Sequence, residues 1–327
     1  MEKIKYNLQL FADLNTQTTL SGGLSDEMKT YYSDYLIDNA QPELVHDQFG
    51  QKHPIPKNGG KTIEFRKFVP LGKALTPIEE GKTPDGQSLT VTKLEATVQQ
   101  YGNYVTLSDL IQLTAIDNTL VETTKLLGAQ AGMTLDTITR EVLNGGTNVI
   151  FAGSKNARTD LAIADILTVD DIKKAVRFLK NQNAEPISGY WVAIIHPDVA
   201  YDLTSDPKWE AVKTYSDPSD LYEGEIGRLY GVRFVETTES KKFVGKGNGG
   251  ATVYSTLVIA DNAYGVTEIT GGGLEHIVKQ LGSAGTGDPL NQRATAGWKA
   301  TKVAERLVEN YMIRIESGCT FNDTTEN

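Results

Sequence analysis

Between Asn58 and Ser108 apolar and charged residues alternate along two runs separated by a turn-rich tip. The outward run is Lys61-Thr-Ile-Glu-Phe-Arg-Lys-Phe-Val69, and the return runs from Leu89 to Leu107. Gly72, Pro77, Gly81, Pro84 and Gly86 punctuate the tip. Period-two alternation predicts a β-ribbon with one half-covered face. A two-stranded ribbon is marginal by itself in water. The expectation is that its own domain supplies no surface and that another copy of the chain covers it.

Ahead of the ribbon, Ser25-Asp-Glu-Met-Lys-Thr-Tyr31 reads as a capped helix start within an otherwise irregular arm. Behind it comes the longest helical pattern. Ser108 caps a first short piece, and Asp117-Asn118 caps a second from Thr119 to Leu143. Leu113, Leu120, Leu127, Ala131, Leu135, Ile138 and Val142 recur at helical spacings, and Asn144-Gly145-Gly146 stops the pattern. Such a spine spans roughly 37 Å. From about residue 165 helix and strand alternate. Thr168-Val-Asp-Asp171 opens a helix carrying Ile172, Ala175, Val176 and Leu179 on one face. Tyr190–His196 is a buried-strand run, and Pro197-Asp198 starts another helix. Gly224–Gly231 reads as a short helix feeding a strand over Val232–Glu236, and Lys241–Gly250 as a flexible loop before a strand from Thr252 to Ala260. A last strand pair is expected at Trp298–Val303 and Tyr311–Ile315.

Composition narrows the class. Of 327 residues 39% are hydrophobic and 23% charged, a globular balance rather than a disordered one. The only cysteine, Cys319, cannot form an intrachain disulfide, so stability must come from packing. A net charge of −10 argues against a nucleic-acid-coating surface, though not against a wall that merely faces nucleic acid. No apolar run approaches the roughly 18 residues of a membrane span.

Several strings imitate chemical sites. Gly60-Lys61-Thr62 and Gly81-Lys82-Thr83 carry the end of a phosphate loop, but the required earlier glycine is Ile55 in one and Thr76 in the other. Gly245-Lys-Gly247-Asn-Gly-Gly250 has dinucleotide glycine spacing with a strand behind it instead of a helix. The histidines His46, His53, His196 and His276 show no metal-ligand spacing, and neither metal nor cofactor is expected. His196, ending a buried strand before Pro197, is the one candidate for a catalytic pocket in an α/β enzyme; the bland reading is a satisfied structural histidine. A third reading is a surface-binding module whose ribbon grips a partner protein.

The order of parts (arm, ribbon, spine helix, α/β body, return strands) resembles tailed-bacteriophage major capsid proteins of the Hong Kong 97 type. Two stretches carry most of the likeness: Gly224-Glu-Ile-Gly-Arg-Leu-Tyr-Gly-Val-Arg-Phe-Val235, and Gly287-Asp-Pro-Leu-Asn-Gln-Arg293 with Gly297-Trp-Lys299 and Tyr311-Met-Ile-Arg-Ile-Glu316. Asn7-Leu-Gln-Leu-Phe-Ala12 adds to it. The resemblance implies an α+β fold with an amino-terminal arm (1–57), an extended loop (58–107), a peripheral domain (108–165 and 265–320), an axial domain (166–264) and a tail (321–327). It implies a non-enzymatic shell protein that self-assembles into hexamers and pentamers around double-stranded DNA, in a virion put together in a bacterial cytoplasm. Portal and separate scaffolding or decoration proteins are the implied partners; with the ribbon starting near residue 58 there is little room ahead of it for a built-in scaffolding segment, so a separate scaffold, or none, is implied. Ile63, Phe65, Lys61, Glu64, Arg66, Lys67, Glu79 and Glu80 become candidate intersubunit contacts. Charges placed at Ile63 and Phe65 are then expected to block assembly and leave the monomer folded. Lys73 and Lys82 lie near the loop tip, but no partner asparagine is identified, so no cross-link is expected.

Overall fold

The structure is a computed structural model describing residues 45–54, 62–68, 71–75, 77, 80–81, 83, 86–114, 119–209, 227–267, 274–279, 281–283 and 287–327. The helix readings over 25–31, the cap at Asp117-Asn118 and the amino-terminal motif lie outside these residues. Helices and sheets both contribute, as an α+β fold requires. The chain clusters into two compact units, and the spine helix Thr119–Asn144 contributes to one as far as Thr134 and to the other from Leu135.

The larger unit is built on a seven-stranded sheet. Its order is Val149–Phe151, Met312–Ser317, Val253–Ile259, Trp191–Ile195, Val232–Glu236 and Arg228–Leu229, with Lys242–Phe243 also pairing to Val253–Ile259. Val253–Ile259 is buried at every position, so it carries a continuous apolar run rather than an alternation. Tyr254, Val258 and Ala260 point into one core, shared with the helices Val169–Asn181 and Pro197–Thr204. Leu257 and Ile259 point into the other, shared with Leu143 and Tyr264. The stripe Ile172, Ala175, Val176 and Leu179 is buried as its spacing requires, and the Asp171 carboxylate accepts from the Thr168 hydroxyl at 2.7 Å.

Three local expectations are corrected. The described end of the Gly224–Gly231 segment is a strand and turn: Arg228–Leu229 folds back on Val232–Arg233 through Tyr230 (φ 50°) and Gly231 (φ 79°). Two positive φ values in a two-residue hairpin match the right-handed strand twist. Trp298–Val303 and Tyr311–Ile315 do not pair with each other. Met312–Ser317 lies inside the large sheet, and Arg293–Lys302 lies between Leu274–Lys279 and Gln99–Ser108 in the smaller unit. The α/β body therefore reaches beyond 166–264. Lys241–Gly250 is not a free loop either, since the Asn248 amide donates to the Leu161 carbonyl at 2.7 Å and Gly247 bonds Ala251.

The ribbon pairs Thr62–Phe68 with Val91–Thr97, in register from Thr62↔Thr97 to Phe68↔Val91. The return run does not continue in it, because Gln99–Ser108 leaves for the other sheet. Beneath the ribbon is a joint sheet of three short strands, Gln51–His53, Tyr264–Thr267 and Ala304–Arg306. Ile63 and Phe65 are 8% and 3% exposed, and with Ala96 they pack against Val303 and Leu307. The Phe65 ring meets His53 edge-on at 4.7 Å. It also covers Gly265, where an added Cβ would lie 2.5 Å from a ring carbon. The expectation that a neighbouring copy must cover these two residues is corrected: this chain covers them itself.

Replacing Phe65 with alanine therefore destabilises the isolated subunit, by about 3–5 kcal/mol. A urea titration of unassembled protein reads it. An unchanged midpoint would mean that the ribbon lies free of its own body.

Candidate functional site: the polar clamp and the ribbon face

The second half of the spine helix carries polar groups on its buried side. Asp136 and Thr139 sit one turn apart, 2% and 0% exposed, where the chain arrives from the arm. Asp136 accepts from the His46 amide at 2.7 Å and pairs with His46 Nδ1 at 2.6 Å. Asp47, the next residue, accepts from the Thr139 hydroxyl and from Lys302 Nζ, each at 2.5 Å. The Tyr264 hydroxyl donates to the His46 carbonyl. Burial together with the neighbouring Asp47 charge raises the Tyr264 phenol well above its ordinary range, so it stays a donor. Buried charges persist only when paired and hydrogen-bonded, and here each carboxylate has two donors.

The helix continues the pattern below. Arg140 is 2% exposed and donates to the Glu239 carbonyl at 3.0 Å and to Glu141 at 2.9 Å. Asn144 accepts from the Ser255 hydroxyl at 2.5 Å. Arg314 donates to the Asn144 carbonyl at the negative end of the helix dipole. Fully buried Glu316 takes a two-pronged grip from Arg158, at 2.7 and 2.6 Å. Asp47, Asp136, Thr139, Arg140 and Lys302 carry no motif in the sequence, and Asn144 is marked there only as a helix stop. The available signal is the spacing 136, 139, 140, 144, which sets polar groups on one side of the helix.

Tyr264 and Gly265 join this clamp to the ribbon. Successive residues in a strand face opposite ways. Tyr264 reaches the clamp while Gly265 receives the Phe65 ring. The opposite face of the ribbon is open. Thr62, Glu64 and Arg66 are exposed on one strand, and Lys93, Glu95 and Thr97 on the other. Glu64 pairs with Arg66 at 3.2 Å and with Lys93 at 3.4 Å. The Arg66 hydrogen bond, with the charge of Lys93, holds the Glu64 carboxyl below its ordinary range. Leu71, Leu75 and Leu89, toward the tip, are exposed. Of the remaining candidates, Glu80 lies in an exposed turn, while Lys61, Glu79 and the Lys67 side chain lie outside the described residues.

His196 is a helix cap. Its Nδ1 accepts the Asp198 amide at 3.2 Å, its ring lies 5.1 Å from Tyr254, and Tyr254 donates to Asp198 at 2.9 Å. Burial lowers the His196 pKa, the Asp198 charge opposes this, and Lys242 adds to the lowering. The Cys319 thiol, pushed up to about 12 by burial, is no nucleophile at neutral pH. The α/β-enzyme alternative gains no support from this geometry. No group of three potential metal ligands occurs among the described residues.

A family model described as phage capsid protein matches residues 46–272. No curated protein matches the sequence. Among solved structures, the capsid of Ralstonia phage GP4 aligns at a TM-score of 0.67 and 14% identity, covering 100% of both chains. The capsid asymmetric unit of cyanophage Pam1 aligns at 0.64 and 14%, covering 80% of this chain and 86% of its own. The head structure of Helicobacter pylori bacteriophage KHP40 aligns at 0.61 and 12%, covering 85% and 89%.

Two outcomes follow from the clamp and the cap. Lys302→Met strands the buried Asp47 charge and costs about 3–5 kcal/mol in urea unfolding, while adding Asp47→Asn recovers part of the loss. The His196 cap needs a free Nδ1 lone pair, so its stabilisation is complete above the ordinary value of 6.5 and declines as pH falls below it. His196→Asn keeps a capping side chain without the titration, and the melting temperature should fall less steeply below pH 6.5 than in the parent. Equal slopes would assign the acid sensitivity to other groups.

Proposed function

Because the chain belongs to the phage capsid protein family, we propose that its copies associate into hexamers and pentamers that close an icosahedral head around double-stranded DNA. The observation that carries this reading is the agreement of the whole chain, end to end, with a capsid subunit fold. The acidic composition fits a wall that encloses DNA without gripping it. The unit built on the seven-stranded sheet corresponds to the axial body, extended by Val149–Phe151 and Met312–Ser317. The smaller unit, with Gln99–Ser108, Leu274–Lys279 and Arg293–Lys302, corresponds to the peripheral domain. The ribbon from Thr62 to Thr97 corresponds to the extended loop, with Glu64, Arg66 and the exposed tip leucines as its means of contact. Assembly takes place in the host bacterial cytoplasm, with a portal and separate scaffolding or decoration proteins. The role is structural rather than catalytic.

Negative-stain electron microscopy of the purified chain, alone and co-expressed with neighbouring viral genes, tests this. Six-fold rings, tubes or closed shells are expected. Small uniform particles under every condition would overturn the shell assignment.

A further inference from the structure

The open face of the ribbon places like charges opposite each other. Glu64 faces Glu95 across the strands, and Arg66 faces Lys93, forming an acidic band and a basic band one step apart. That step is two residues, roughly 7 Å. Like charges directly opposite weaken a two-stranded ribbon. Elsewhere in the chain the opposite choice is made, where Glu275 sits across from Lys299 and pairs with it at 3.1 Å. Within the ribbon Glu64 holds Arg66 and Lys93, which leaves Glu95 exposed with no ion-pair partner among the described residues. The inner face is already buried on the joint sheet, so the banded face is the one that remains to be covered.

Two adjacent bands of opposite sign are complementary to themselves. A two-fold axis between the Glu64–Glu95 and Arg66–Lys93 levels lays the acidic band of one copy on the basic band of another. We propose that the ribbons of two copies dock through these faces in such an isologous contact, each Glu95 meeting a cation of its partner. The inference rests on the shell reading. The contact is small, about 24 Å of seven-residue ribbon, and acts only when repeated through an assembly. Its charges are exposed, so it weakens with added salt.

Charge exchange tests it. Glu64→Lys with Glu95→Lys makes the face all basic, and Arg66→Glu with Lys93→Glu makes it all acidic. Each variant, verified as folded by its melting curve, should lose about tenfold or more in particle yield at low salt, since like charges then face each other across the contact. Co-expressing the two should restore particles containing both chains, and the fourfold variant with exchanged bands should assemble alone. Repulsion inside one ribbon cannot be relieved by a second chain, so rescue reports the intermolecular contact. If the double variants fail to fold, Glu64→Gln with Glu95→Gln replaces them, with a lower yield that no longer falls as salt is added. Normal assembly of the doubles, or failure of both rescues, overturns the isologous contact. Absence of particles from the parent chain under every condition would instead count against the shell reading.

Discussion

Two buried carboxylates, Asp47 and Asp136, hold together three parts of the larger unit that are distant in sequence. Removing a carboxylate from water is costly, and the cost is offset only in geometries that give each oxygen a donor. Those geometries bring the end of the arm at His46–Asp47, the second half of the spine helix and Lys302 at the close of a strand to one place. Apolar burial alone tolerates sliding. Paired charges do not, so the clamp fixes the position at which the chain enters its body.

From that point the ribbon is set in place. The joint sheet has strands of only three or four residues, too short to persist alone. It persists because one side is tied to the clamp through Tyr264 and the other is weighted by Phe65 over Gly265. A side chain at 265 would lift the ring and with it the ribbon. The seat of the ribbon thus depends on a residue some two hundred positions away, chosen for what it lacks.

That distance explains what the sequence could and could not disclose. The Ile172-to-Leu179 stripe, the Thr168 capping box and the Trp191–Ile195 run were legible because their signals are local, set by period and by caps. The ribbon's alternation was legible for the same reason, but its covering partners Val303, Leu307 and Gly265 carry no mark of the role. Hence Ile63 and Phe65 looked as though they awaited another molecule. The Tyr230-Gly231 turn was hidden because a tyrosine at positive φ is rare, whereas the usual sign for such a turn is Asn-Gly. At the clamp, the burial of Asp136, Thr139 and Arg140 is not legible, since helical spacing does not say which polar side is buried.

The seating of the ribbon changes what a neighbouring subunit would have to contribute. A free arm surrenders roughly 1–2 kcal/mol of backbone entropy per residue when it orders on a partner. Here the fourteen paired residues already find their partners within the subunit, and the apolar face is buried there. An approaching copy then meets a rigid face of charges, so little ordering cost opposes docking. Exposed ion pairs are individually weak, worth about 0–1 kcal/mol. Rigidity lets such weak contacts count, because each repeats in every copy of a symmetric assembly without a fresh entropic cost. In the proposed division of labour burial holds the subunit together, and the charged face is left to select how subunits meet.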